Sequence, residues 1–214
     1  MARHPRILLT GFEVFGGHRF NPSQAIATRL DGEWAGDARI EARILPVSLA
    51  KLDDALDTAL AEVKPIAVVA LGLAERESVI RLESTSYNEL DFRIPDNDGK
   101  KRKGKIDKAG PAIRASTFPI PAIRKALLAA AIPARVSDDP GRFLCNAALY
   151  GLLARVGKGV PCGFVHLPRT PEMVAGLLKK DPESDPALLA SMGLRAQLAA
   201  IRLVVAETAR KALK

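Results

Sequence analysis

The chain is 214 residues long, 48% hydrophobic and 26% charged, with a formal net charge of +8. That length fits a single α/β domain over residues 1–214, and the ordinary balance of apolar and charged residues excludes a disordered chain. No apolar stretch approaches the ~20 residues that cross a bilayer, so no membrane partner is expected.

In chain order, residues 6–10 read as a strand, followed by a Gly-rich turn over 11–17. That first apolar run is too short for the core of a signal peptide and no small-residue cleavage site follows it, so a cytoplasmic location is expected. Residues 22–30 read as a helix with Asn21 as N-cap and Pro22 in first position. Residues 39–45 alternate as a strand. Leu49, Leu52, Leu56, Leu60 and Val63 fall at helical spacing, and Pro65 closes that helix. Residues 66–71 are continuously apolar, as in a strand buried on both faces.

Residues 79–82 predict another strand, and 88–118 mostly loop. A helix at 120–131, a strand at 134–137, a helix at 143–156 and a last buried strand at 163–167 follow, then helices at 171–178 and 188–211. This βαβα order predicts a three-layer α/β/α sandwich with a mainly parallel central sheet.

Much of the positive charge is local. Residues 100–108 carry Lys100, Lys101, Arg102, Lys103, Lys105 and Lys108 against Asp107 alone. Gly99, Gly104 and Gly110 break the segment and no aromatic side chain interleaves it to stack on bases. A solvated surface loop is the expectation, and no nucleic-acid partner.

Two cysteines in a chain of this kind read as free thiols. Cys162 precedes an apolar strand with no helix start nearby, which fits burial. Cys145 follows the turn sequence Asp138-Asp139-Pro140-Gly141 and opens a helix. There it meets unpaired N–H groups and the positive end of a helix dipole, which favour thiolate and can hold an oxyanion. A packing cysteine on an amphipathic helix fits the same local pattern.

His166 ends an apolar strand, the edge where catalytic groups of parallel sheets collect. His4 lies at the terminus and His18 in a polar loop. A Cys–His pair needs a third group to orient the imidazole. Glu83, Glu13 and Asp96 are candidates, and spacing alone does not choose among them.

Four blocks in order carry a family resemblance. They are Thr10-Gly11-Phe12-Glu13-Val14-Phe15-Gly16-Gly17 with Asn21-Pro22-Ser23, and Arg93-Ile94-Pro95-Asp96-Asn97 with Gly99. Phe143-Leu144-Cys145-Asn146 with Tyr150, and Gly163-Phe164-Val165-His166-Leu167-Pro168, complete the set. Together they resemble the pyroglutamyl-peptidase I (pyrrolidone-carboxylate peptidase) family, cysteine exopeptidases that remove N-terminal pyroglutamate.

The resemblance implies a Glu–Cys–His triad in chain order, with Cys145 as nucleophile, His166 as base and Glu83 as orienting carboxylate. The family glutamate falls after a Gly-rich stretch and before an Asn, here Asn88. The resemblance also implies that Phe12, Phe15 and Phe143, with Ile94 and Leu144, wall the pyroglutamyl ring. An uncharged lactam suits such an apolar pocket. The implied substrate is a small peptide, the implied assembly a homo-oligomer, often a tetramer. The chemistry needs no metal and no organic cofactor.

Three departures touch the rim. Ala74-Glu75-Arg76-Glu77 stands where the family has a Gly-Gly-Arg type run, Ser84-Thr85-Ser86 where Arg-Val-Ala is common, and Leu73 where some members have glutamine. They leave two alternatives open: a triad-retaining hydrolase of another small acyl-amide, and a catalytically silent binding homologue.

Overall fold

The computed structural model describes residues 4–185 and 189–214. Strand β1 (Arg6–Phe12) runs two residues beyond its apolar core because Gly11 and Phe12 continue the ladder with the third strand. Helix α1 (Pro22–Leu30) starts as expected: the Asn21 side chain accepts from the Ser23 N–H, and Pro22 needs no partner for a donor it lacks. Strands β2 (Trp34–Ala35) and β3 (Ala38–Leu45) pair antiparallel at one sheet edge. Helix α2 (Leu49–Val63) buries Leu52, Leu56, Ala59 and Val63 on one stripe, each large side chain contributing roughly 1.5–3 kcal/mol. It stops at Lys64, which turns left-handed (φ 48°) before Pro65.

Strand β4 (Ala67–Leu73) is buried throughout. Next come β5 (Ile80–Glu83), β6 (Thr85–Tyr87), β7 (Leu90–Asp91), β8 (Lys103–Gly104) and β9 (Ile113–Ala115). The stretch expected to be mostly loop thus holds two small ribbons, β6 with β9 and β7 with β8. Two-residue strands leave no period for a sequence pattern to show. Then follow α3 (Ile120–Ala129), β10 (Ala134–Ser137), α4 (Leu144–Arg155), β11 (Cys162–Leu167), α5 (Pro171–Lys180) and α6 (Leu194–Ala212). The start expected for the last helix, residue 188, lies outside the described residues; residues 189–193 are described and not helical, so α6 starts later than expected, at Leu194.

The main sheet has seven strands in the order β10-β5-β11-β4-β1-β3-β2. Strands β3, β1, β4 and β11 run parallel. Strands β5 and β10 are parallel to each other, but β5 is antiparallel to β11. Alternate residues of β4 feed opposite layers: Val69 and Leu71 pack with α1, α3 and α6, whereas Val68 and Ala70 pack with α2 and α4. The α/β/α sandwich with a mainly parallel sheet is therefore the architecture, with inversions between β11 and β5 and at the edge strand β2. Among the described residues, no helix is long and apolar enough to cross a membrane.

Candidate active site

The inversion at β5 builds the site. Antiparallel register sets Arg81 directly opposite His166, with Glu83 two residues further along β5 on the same face. On the other side of β11, parallel register sets Gly72 of β4 beside His166. Ile80 and Leu82 point into the α1/α3/α6 layer, so Arg81 and Glu83 face the α2/α4 layer, as His166 does. Glu83 Oε1 lies 2.7 Å from His166 Nδ1, in a buried hydrogen bond. His166 sits near the carboxyl end of β11, as expected, and Glu83 reaches it from a strand running the other way.

Cys145 enters from above as the second residue of α4, whose N-cap is Phe143. The N–H groups of that first turn have no intrahelical carbonyl to bond. Its sulfur lies over Gly72: a Cβ built there would be 2.8 Å from Cys145 Sγ and 2.7 Å from Phe164 Cζ. The missing side chain of this glycine thus leaves the space beside the Cys145 sulfur. Sequence reading missed Gly72 and Arg81, although alternation along β5 gave a signal for the latter.

Cys145 and His166 open into one cavity of about 680 Å³, a size suited to a small ligand. Phe15, Leu73, Ile94 and Phe143 form its apolar side, with the Phe15 and Phe143 rings 6.0 Å apart. Arg76, Arg81, Arg142 and Arg169, with Glu75 and Glu77, supply its polar side. Of the five residues expected to wall a ring, Phe15, Ile94 and Phe143 line this cavity. Phe12 and Leu144 do not; both are buried in the α2/α4 core beneath it.

The charges follow from burial first. Burial pushes the Cys145 thiol up to about 12, and the Glu83 charge adds to this; Arg81 and the backbone N–H at Cys145 oppose it. The lowering expected from the helix start is present but outweighed. Burial also lowers the proton affinity of His166, against the hydrogen bond and charge of Glu83, while Arg81 reinforces the lowering. For Glu83, burial works to raise the carboxyl, but the His166 bond and the charges of His166 and Arg81 prevail, so it stays below the usual range. Burial thus favours the thiol and the neutral imidazole, and the charges around Glu83 favour its carboxylate. Cys162 is buried in the α2/α4 layer, its thiol also pushed up to about 12, and both cysteines are free.

The family model for pyroglutamyl peptidase matches residues 5–211. The chain belongs to the pyroglutamyl peptidase family. It is 39% identical over 206 residues to the pyrrolidone-carboxylate peptidase of Pyrococcus furiosus, covering 94% of this chain and 99% of that one. It is 42% identical over 175 residues to that of Clavibacter michiganensis, covering 80% and 82%. Among solved structures, a mutant pyrrolidone carboxyl peptidase from Pyrococcus furiosus superposes with a TM-score of 0.91 at 36% identity, covering 97% of this chain and 99% of that chain. Pyrrolidone carboxyl peptidase from Thermococcus litoralis gives 0.89 at 36% identity, covering 96% and 94%.

Within this pyroglutamyl peptidase fold, several motif residues hold the scaffold. Asn146 accepts from the Tyr87 N–H and donates to the Tyr87 and Glu89 carbonyls, all at 2.8 Å, fixing the strand beyond Glu83 to α4. Glu13 Oε1 accepts from Val47 N–H and Asn97 Nδ2, both at 2.9 Å. Asp96 accepts from the Asp98, Lys100 and Leu49 N–H groups. These two carboxylates, alternatives to Glu83 on spacing alone, brace loops instead. Asn88 holds the turn at Asp107 and Gly110.

The unusual rim acids are engaged within the rim. Glu75 bonds His18 Nε2 at 2.5 Å and pairs with Arg169 at 3.2 Å. Glu77 pairs with Arg81 at 2.9 Å and with Arg135 of β10 at 2.5 Å. The basic segment projects from the β7–β8 ribbon with its six cationic side chains exposed, and among the described residues Lys103 pairs with Asp91 at 3.3 Å. Among the described residues, no group of three or more His, Cys, Asp or Glu side chains is placed to hold a metal ion.

Proposed function

We propose that the chain hydrolyses the amide bond after an N-terminal pyroglutamyl residue, with Cys145 as nucleophile, His166 as general base and then acid, and Glu83 as orienting carboxylate. The observation that carries this reading is the 2.7 Å contact between Glu83 Oε1 and His166 Nδ1, made beside a Cys145 sulfur seated over Gly72 at a helix start. With the Nδ1 proton directed to Glu83, Nε2 presents a lone pair. It takes the thiol proton of Cys145 as sulfur attacks the acyl carbon. First-turn N–H groups, Cys145's among them, suit the developing oxyanion. The imidazolium then passes its proton to the departing amine nitrogen, leaving a thioester, and water attacks that thioester with His166 as base. Free acid and thiol are regenerated.

The lactam ring carries no charge, and the Phe15, Ile94, Leu73 and Phe143 side of the cavity suits it. The test is release of aminomethylcoumarin from its pyroglutamyl amide, run beside prolyl and acetyl amides. Turnover confined to the pyroglutamyl amide and lost in Cys145→Ala is the expected result. Turnover that persists in Cys145→Ala overturns the nucleophile, and preference for another acyl group overturns the substrate.

A further inference from the structure

One side chain in the site has no place in a three-residue triad. Arg81 Nε donates to Glu83 Oε1 at 2.6 Å, Nη1 to Glu77 Oε1 at 2.9 Å and Nη2 to the Asp139 carbonyl at 3.2 Å. Nη2 also lies 3.1 Å from His166 Nδ1. Its side chain is 15% exposed, so these contacts form largely out of water.

We propose that Arg81 is a positioning residue for the triad: it clamps the carboxylate that orients His166 and, from directly across the strand pair, disfavours the charged imidazolium. The proposal rests on the reading of Cys145 and His166 given above.

The geometry sets up a competition at one atom. Nδ1 cannot donate to Glu83 and accept from Arg81 at once. If it accepts from Arg81, Nε2 carries the proton and cannot take another from Cys145. If it donates to Glu83, Nε2 is free to act. The Glu83 contact is shorter and has an ionised acceptor, so it prevails and the competent tautomer results. Arg81 then has its cation facing the donor edge of the ring. Once His166 accepts the thiol proton, two cations share that edge, and the imidazolium is driven to give its proton up to the leaving amine.

Glu83 opposes this by stabilising the imidazolium through the proton on Nδ1. Arg81 moderates it by sharing Oε1, and Glu77 moderates Arg81 in turn. Glu77 is itself held by Arg135, so a line of ion pairs runs from the exposed side of β10 to the ring. The charged or titratable groups around His166 are Glu83 and Arg81 from β5, Glu75, Arg76 and Glu77 from the segment before it, Cys145 from α4, Asp139 and Arg142 from the turn before that helix, Asp91 and Arg93 from the β7 segment, and Arg169 after β11. The nearest cation to the ring in the hydrogen-bond geometry is Arg81.

The sign of the effect follows. Without the guanidinium, imidazolium forms at higher pH, and the base form of His166 is lost sooner on acidification. The experiment records kcat and KM for pyroglutamyl-aminomethylcoumarin from pH 4.5 to 9 in the parent, Arg81→Met and Arg81→Lys. The pH dependence of Cys145 alkylation by iodoacetamide gives a readout separate from turnover. Arg81→Met is expected to move the acid limb of kcat/KM and of alkylation upward by half a pH unit or more. Its loss at pH 5.5 should exceed its loss at pH 8 at least threefold, with the change in kcat and not in KM. Arg81→Lys, which keeps the charge but cannot span the same acceptors, should keep the limb close to the parent's while losing rate.

Arg81→Gln replaces methionine if that variant fails to fold. Limbs that stay at the parent's position in the neutral variants overturn the proposal, whatever happens to the overall rate. A parallel Cys145→Ala sample separates the two levels of inference: turnover there sinks the nucleophile assignment itself, not the role of Arg81.

Discussion

Replacing Gly72 by alanine tests the site's geometry with one methyl group. The added Cβ would lie 2.7 and 2.9 Å from Phe164 Cζ and Cε1 and 2.8 Å from Cys145 Sγ. Ordinary non-bonded contacts between such atoms begin near ~3.5 Å, so each neighbour must retreat by roughly 0.7 Å or more. Phe164 is fully buried in the α2/α4 layer, whereas Cys145 borders the cavity, so the sulfur moves further. A reacting atom displaced by about 1 Å costs on the order of 100-fold in rate, or about 2.7 kcal/mol of transition-state stabilisation. Overpacking should also cost ~1–3 kcal/mol of stability. The assay is kcat/KM on the pyroglutamyl amide at a temperature where melting curves show the variant folded. Gly176→Ala is the control, since a Cβ there meets nothing within 4 Å and alanine favours the helix. Gly72→Ala should lose rate by roughly two orders of magnitude while Gly176→Ala keeps the parent's. A Gly72→Ala enzyme within threefold of the parent would refute the claim that this glycine makes room for the nucleophile.

Asn146→Ala removes three hydrogen bonds of a buried side chain and leaves the Tyr87 N–H and two carbonyls without them, so it should lower stability by about 3 kcal/mol and the melting temperature by several degrees; a melting temperature unchanged within about 2 °C counts against the staple. Cys162 is fully buried with its thiol pushed up to about 12 from an ordinary 9, so between those values the folded chain holds a proton that the unfolded chain releases. Its contribution to stability therefore falls as pH rises, by about 1.4 kcal/mol per unit, and the stability gap between parent and Cys162→Ala in urea melts should shrink from pH ~9 upward. A gap that stays constant to pH ~10.5 contradicts that burial.

Most of the architecture was legible because it is written in period. Residues 66–71 read as a doubly buried strand and Leu52, Leu56 and Val63 as a helix stripe, and both stand as β4 and α2. The site was legible in its parts: Cys145 from the turn before its helix, His166 from its place at the end of β11. The third member was open, because Glu13, Asp96 and Glu83 are all carboxylates near suggestive loops. What separates them is strand direction. An antiparallel β5 brings Glu83 to the ring, and nothing in the composition of a four-residue strand records its direction. Gly72 and Arg81 were missed for the same reason, since each matters only through its register with His166. Phe12 and Leu144 show the converse. Their motif context suggested a ring wall, yet the pleat and the helix turn them into the core.

The expectation for the thiol was incomplete in a more instructive way. A helix start does favour thiolate, and the backbone contribution at Cys145 has that sign. Yet the layers that bury the neighbouring residues also remove water from the sulfur, and desolvation exceeds the help from one helical turn. The same dryness keeps His166 neutral. Burial thus disfavours either charge alone, and in the proposed mechanism charge separation belongs to the reaction step, when acyl carbon and oxyanion donors share the new negative charge. A triad of this kind depends on how its proton is handled between Cys145, His166 and the leaving amine. That places the weight of catalysis on whatever holds the ring's other edge, where Glu83 and Arg81 meet at a single carboxylate oxygen.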